Sequence, residues 1–148
     1  MEICIDFDGT CVTHEYPDIG KDIGAIPVLK RLVEAGHQLV LFTMRSDMER
    51  VESEEYFEFE SGGDYLTDAV NWFKENGIEL YGTNENPEQK NWTRSPKAYA
   101  DLYIDDAALG CPVIFNREIS GRPYADWKAI EHILEEMGVL QSSGTNLK

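Results

Sequence analysis

Short apolar runs alternate along this chain with stretches whose apolar residues recur every three or four positions, and that alternation narrows the folds open to it. The first run, Ile3-Cys4-Ile5, has the length and β-branching of a buried strand. Next come Ile26, Leu29, Leu32 and Val33 at helical spacing, with Pro27 tolerated in the first turn and Gly36 placed to end the helix. Residues 38–43, ending in Leu41-Phe42-Thr43, read as a second strand. A second helix is predicted over about 64–76, where Leu66, Ala69, Val70 and Phe73 share a face and Gly77 follows. Residues 78–81 predict a third strand, Leu102-Tyr103-Ile104 a fourth and 112–115 a fifth. The last helix starts at an Asp126 N-cap, carries Trp127, Ile130, Ile133, Leu134 and Met137, and stops at Gly138. Repeated β-α units join through right-handed crossovers, so the expected fold is α/β: an open parallel sheet of about five strands with helices on both faces. With 148 residues and neither linker nor repeat, the chain reads as one domain over 1–140 and a polar tail over 141–148.

Where the first strand ends, the sequence runs Asp6-Phe7-Asp8-Gly9-Thr10. Two carboxylates one residue apart thus stand where ligands collect in an open parallel sheet, beyond the carboxyl end of a strand. Two acids so close repel each other unless a cation intervenes, and a divalent metal is the usual partner. A formal charge of −15, from 13 basic and 28 acidic side chains, argues against nucleic-acid backbones and anionic membranes as partners. No apolar stretch approaches the ~20 residues that span a bilayer. The N-terminus, with Glu2 leading straight into a strand, does not read as a signal peptide. Cys4, Cys11 and Cys111 are odd in number and unpatterned, which predicts reduced thiols in a cytoplasmic setting. Zinc is disfavoured because no Cys-x-x-Cys is present and His14, His37 and His132 are far apart in sequence. The histidines and tryptophans read as core or surface residues, and Cys11 as packing.

Asp6 to Thr10, together with the strand ending in Thr43 and the strand ending in Asp105-Asp106, resembles the motif set of the haloacid dehalogenase (HAD) superfamily of phosphatases and phosphotransferases. Asp-x-Asp-Gly-Thr recurs by chance in on the order of one chain in a thousand of this length, and the other motifs follow in the family's order. The resemblance covers Ile3 to about Phe115 and implies a Rossmann-like fold and a Mg²⁺-dependent phosphatase working through a phosphoaspartate. It makes Asp6 the nucleophile and Asp8 the general acid and base. Asp6, Asp8 (through its main-chain carbonyl), Asp105 and Asp106 become the metal ligands. Gly9, Thr10, Thr43, Met44 and Arg45 are implied around the phosphate, with Arg45 equally placed for a plain surface role. Lys97, in competition with Lys90 and Arg94, becomes the lysine that balances the charge of Asp6 and phosphate.

Two loops, 10–24 and 46–63, are too short for a folded cap, so the resemblance is to a capless member. Its expected substrate is a phosphorylated small molecule or a phosphoprotein, and a homo-oligomer is one way to close the site. The acidic, aromatic segment 46–63 reads either as a solvated excursion packed on the sheet edge or as a lid. Asn84, Asn86 and Pro87 read as a plain turn. A phosphotransferase, or a metal- and phosphate-binding protein without turnover, are the alternatives. A signalling receiver domain is excluded by the order of the motifs.

Overall fold

The computed structural model describes residues 1–47 and 63–142. Among these residues, six strands and three α-helices follow in the order β1 (Glu2–Ile5), α1 (Ala25–Glu34), β2 (Gln38–Leu41), α2 (Tyr65–Glu75), β3 (Gly82–Thr83), β4 (Leu102–Ile104), β5 (Val113–Ile114), β6 (Tyr124–Ala125) and α3 (Trp127–Glu136). Four of the strands form a parallel sheet in the order β3-β2-β1-β4. β1 is therefore central, its residues Glu2 to Ile5 opposite Gln38 to Leu41 on one side and Ile3 to Ile5 opposite Leu102 to Ile104 on the other. Central parallel strands are covered on both faces, which is why Ile3, Cys4, Ile5, Leu39, Val40 and Leu41 are all buried.

The expected fifth parallel strand is absent from this sheet. Val113 and Ile114 instead pair antiparallel with Tyr124 and Ala125, forming a separate two-stranded ribbon. The third strand is displaced as well: 78–81 is not paired as strand, and pairing settles on Gly82 and Thr83, opposite Val40 and Leu41. Gly82 is needed there, because a Cβ would collide with the Glu85 carbonyl and the Pro87 ring.

Alternation along the strands separates two unequal faces. Ile3, Ile5, Leu39 and Leu41 pack into one cluster with Leu29 and Leu32 of α1, Phe73 of α2, and Trp127, Ile130 and Leu134 of α3. Cys4 and Val40 face the other way and pack with Ala98, with Phe42, Tyr81 and Ala100 beside them. The helices among the described residues thus share one face, not two. The β3-to-β4 connection covers the other with one 3-10 turn, Gln89–Asn91. Gln89 is buried there, and its side chain bonds the Ser95 and Lys97 carbonyls and the Tyr99 amide. Side-chain amides bridging a loop take the place of the missing helix.

Helix limits follow the local chemistry. The Asp126 carboxylate accepts the Ala129 N–H at 3.2 Å and starts α3, and Gly36, Gly77 and Gly138 follow the helices at positive φ. α2 begins without a cap from Asp64; Asp47 accepts both the amide and the hydroxyl of Thr67 instead. Of the segment 46–63, residues 48–62 lie outside the described residues, as do 143–148 of the tail.

Candidate active site

Asp6 extends β1 and hydrogen-bonds through its own amide to the Ile104 carbonyl at 3.0 Å, which brings it beside the end of β4. Asp105 and Asp106 follow β4 directly. One carboxylate oxygen from each of Asp6, Asp105 and Asp106 lies within 4.8 Å of the others. Asp6 is 99 and 100 positions from the other two in sequence, and the three are gathered because β1 and β4 are parallel neighbours.

Thr10 holds the group together. Its buried hydroxyl lies 2.9 Å from Asp6 Oδ2, 2.9 Å from Asp106 Oδ1, and accepts the Asp106 amide at 2.9 Å. One hydroxyl proton serves one carboxylate at a time. Burial, then the charge of Asp105, then hydrogen bonding with Asp106 push the Asp6 carboxyl up to about 8, against the opposing bonds from Thr10 and the Phe7 amide. The proton belongs to the cluster as a unit. An all-oxygen donor set with this much unbalanced negative charge suits a hard divalent cation such as Mg²⁺.

The main-chain amides of Gly9 and Thr10, residues expected around the phosphate, are both used within the turn. The Gly9 amide donates to the Val12 carbonyl at 2.8 Å and the Thr10 amide to the Phe7 carbonyl at 3.1 Å. Their carbonyls are held from the C-terminal side, Gly9 by the Ala125 amide at 2.8 Å and Thr10 by the Trp127 indole at 2.6 Å. Gly9, at φ 82°, is required for space: a Cβ there would collide with the His14 imidazole and come within 2.6 Å of Asp106 Oδ2. His14 occupies that space, its Nε2 donating to Asp106 Oδ2 at 2.9 Å. In sequence His14 looks like a core or surface residue; the signal for its role is its place in the loop leaving the acid motif.

Arg45 departs furthest from expectation. It is buried, not a surface residue, and its guanidinium reaches no open phosphate position. Nε and Nη2 donate to Asp8 Oδ2 and Oδ1, each at 2.8 Å. Nη2 also bonds the Asp18 carbonyl at 2.8 Å, and Nη1 bonds the carbonyls of Pro17 at 3.1 Å and Tyr65 at 3.2 Å. All five guanidinium N–H donors are used within the chain. The Phe7 and Tyr16 rings each lie 5.1 Å from the guanidinium carbon. Asp8 is therefore outside the carboxylate cluster; its side chain faces Arg45, and only its main-chain carbonyl is left to a metal.

Thr43 lies two residues past the end of β2, where the sequence predicts that the strand runs through it. Its amide donates to Asn84 Oδ1 at 2.8 Å and its hydroxyl oxygen accepts the Arg45 amide at 3.1 Å, so its own hydroxyl proton remains to be donated. Asn84, at φ 55°, is thus more than a turn residue: it fixes the backbone at Thr43. Met44 is fully exposed in the same turn. Among the described residues, no lysine pairs with the acids. Lys97 is exposed, with its Nζ 5.4 Å from the Tyr103 ring on the second face of the sheet, and Lys90 is exposed in the 3-10 turn. Cys11 is buried as expected, its thiol donating to the Asp6 carbonyl at 3.3 Å, and burial pushes that thiol well up, which leaves it unreactive. All three cysteines are free.

No family model and no curated protein matches the chain. Among solved structures it is similar to a conserved protein from Bacteroides thetaiotaomicron, at 32% identity over 93% of this chain and 91% of the other, with a TM-score of 0.66. This chain belongs to that protein's family. No helix among the described residues is long and apolar enough to cross a membrane.

Proposed function

We propose that this chain is a Mg²⁺-dependent phosphohydrolase of the HAD-like, capless kind, with Asp6 as nucleophile. The observation that carries the reading is the meeting of Asp6, Asp105 and Asp106 within 4.8 Å at adjacent strand ends. Those three side chains, with the Asp8 carbonyl, would hold the metal. Bound there, Mg²⁺ supplies the positive charge that lets a carboxylate approach an anionic phosphate.

The remaining chemistry falls to the chain's own residues. An Asp6 oxygen forms a bond to phosphorus as the bond to the leaving oxygen breaks, and Asp8, entering the step in its protonated form, gives that oxygen its proton. Water then attacks phosphorus, Asp8 takes its proton, and phosphate leaves with the Asp6 carboxylate restored. Thr43 donates its hydroxyl to a phosphoryl oxygen. With no lysine paired to the acids among the described residues, balancing the Asp6 charge would rest on the metal, while His14 holds Asp106 in place. The substrate class is a phosphorylated small molecule or phosphoprotein, since −15 disfavours a polyanion.

The test is release of p-nitrophenol from p-nitrophenyl phosphate with and without Mg²⁺, wild type against Asp6→Asn. Metal-dependent turnover lost in Asp6→Asn is the expected result, with a beryllofluoride adduct on Asp6. Turnover that survives Asp6→Asn, or none across a panel of phosphate esters, refutes the proposal.

A further inference from the structure

We propose that Arg45 is a positioning residue for Asp8, holding its carboxylate at a fixed offset from Thr43 so that proton transfer is aligned with the bound phosphate. This inference rests on the phosphohydrolase reading above. Its support is the geometry of one side chain that the motif resemblance assigns to the ligand, and that the fold turns inward.

The fork makes two parallel N–H···O bonds of 2.8 Å to the two Asp8 oxygens. That bidentate contact fixes the plane of the carboxylate as well as its place. The Arg45 side chain is 1% exposed and that of Asp8 19%, so the grip comes from the protein's side. A carboxylate offers about four lone-pair sites and the fork uses two. One of the other two, on the open side, would carry the proton that passes to the leaving oxygen and then, emptied, take the proton of the attacking water.

Arg45 is itself held rigidly. Three carbonyls, of Pro17, Asp18 and Tyr65, take its remaining donors, and two aromatic rings flank its plane. Its main-chain amide bonds the Thr43 hydroxyl oxygen at 3.1 Å. One residue therefore orients both the hydroxyl facing the phosphate and the carboxylate facing the proton. Lysine cannot reproduce this, because it presents a point charge without the planar fork.

A merely structural ion pair would weaken the enzyme for every substrate alike. A positioning residue acts selectively, because an alkyl ester needs a proton on its leaving oxygen and a nitrophenyl ester does not. The experiment compares kcat on p-nitrophenyl phosphate and on glycerol 2-phosphate, with Mg²⁺, for wild type, Arg45→Lys, Asp8→Asn and the double variant. Proton transfer by a placed side chain contributes about 10²–10⁴-fold. Arg45→Lys is therefore expected to lose at least ~10-fold more on the alkyl ester than on the aryl ester. It should lose nothing further in the Asp8→Asn background, since both changes remove one function. Circular dichroism checks folding. Tyr16→Leu, which removes one flanking ring and leaves the fork in place, serves if Arg45→Lys does not fold, with the same selectivity expected at smaller size. Equal losses on the two esters, or losses that add to those of Asp8→Asn, overturn the inference while the phosphohydrolase reading stands. A wild type that turns over neither ester refutes that reading and this inference with it.

Discussion

Thr10 lies between Asp6 and Asp106 at 2.9 Å from each, and a single hydroxyl proton cannot satisfy both at once. Without a cation, the cluster makes good the shortfall by keeping a proton, which is the physical meaning of an Asp6 carboxyl held at about 8 by burial and the charge of Asp105. An unfolded aspartate titrates near ~3.9. Because the folded value is raised, this group's favourable contribution is complete below about 4 and is lost as pH rises toward about 8. A metal ion that takes the proton's place must displace it, so Mg²⁺ affinity should rise up to ~10-fold per pH unit below about 8 and level off above it. Calorimetric titration in two buffers of different ionisation enthalpy measures the release directly; binding that frees no proton at pH 6 contradicts the account. The acids themselves were legible in sequence, since their spacing and strand-end placement are local. His14, Arg45 and the position of Lys97 were not, because each depends on which loop folds over which strand.

At the scale of elements, the acid turn is braced from the far end of the chain. β6 and α3 supply the two donors that hold its carbonyls, the Ala125 amide on Gly9 and the Trp127 indole on Thr10. Trp127 is buried at the first turn of α3, and its 2.6 Å bond is the one the Thr10 carbonyl makes among the described residues. Trp127→Phe keeps most of the apolar volume and removes the donor, leaving a buried acceptor unpaired. The expected cost is about 1–3 kcal/mol, read as a lower urea midpoint at unchanged slope. A midpoint equal to wild type would mean that the indole fills space and braces nothing. The helices were readable from periodicity, and their ends from Gly36, Gly77, Asp126 and Gly138, because those signals lie within a few residues of what they specify. Strand partners were harder. Val113 and Ile114 are as apolar as a sheet strand, and only tertiary pairing shows that they turn to Tyr124 and Ala125 instead of joining β4. The loop that covers the second face carries no helical period, so nothing in its sequence distinguished a missing helix from a long turn.

For the whole molecule, the net charge of −15 and the acid cluster are two electrostatic effects that respond differently to salt. Exposed acids spread over the surface repel at long range, and any electrolyte screens that repulsion within a Debye length of ~10 Å at 0.1 M. The cluster at the ends of β1 and β4 is partly buried and compact, so screening reaches it poorly and only a bound cation relieves it. The two can be separated by comparing melting temperatures in MgCl₂ and NaCl at equal ionic strength. A ligand present at ~100 times its Kd adds about 2.7 kcal/mol to the folded state, which for a domain of this size shifts Tm by about 5–10 °C. MgCl₂ should exceed NaCl by that margin for the wild type. Asp105→Asn, which removes one of the three gathered carboxylates while changing the net charge by a single unit, should abolish the excess and leave the NaCl response nearly intact. If the two salts shift wild type and variant alike, the acids are no more than part of a diffuse anionic surface, and the ends of β1 and β4 are not a metal site.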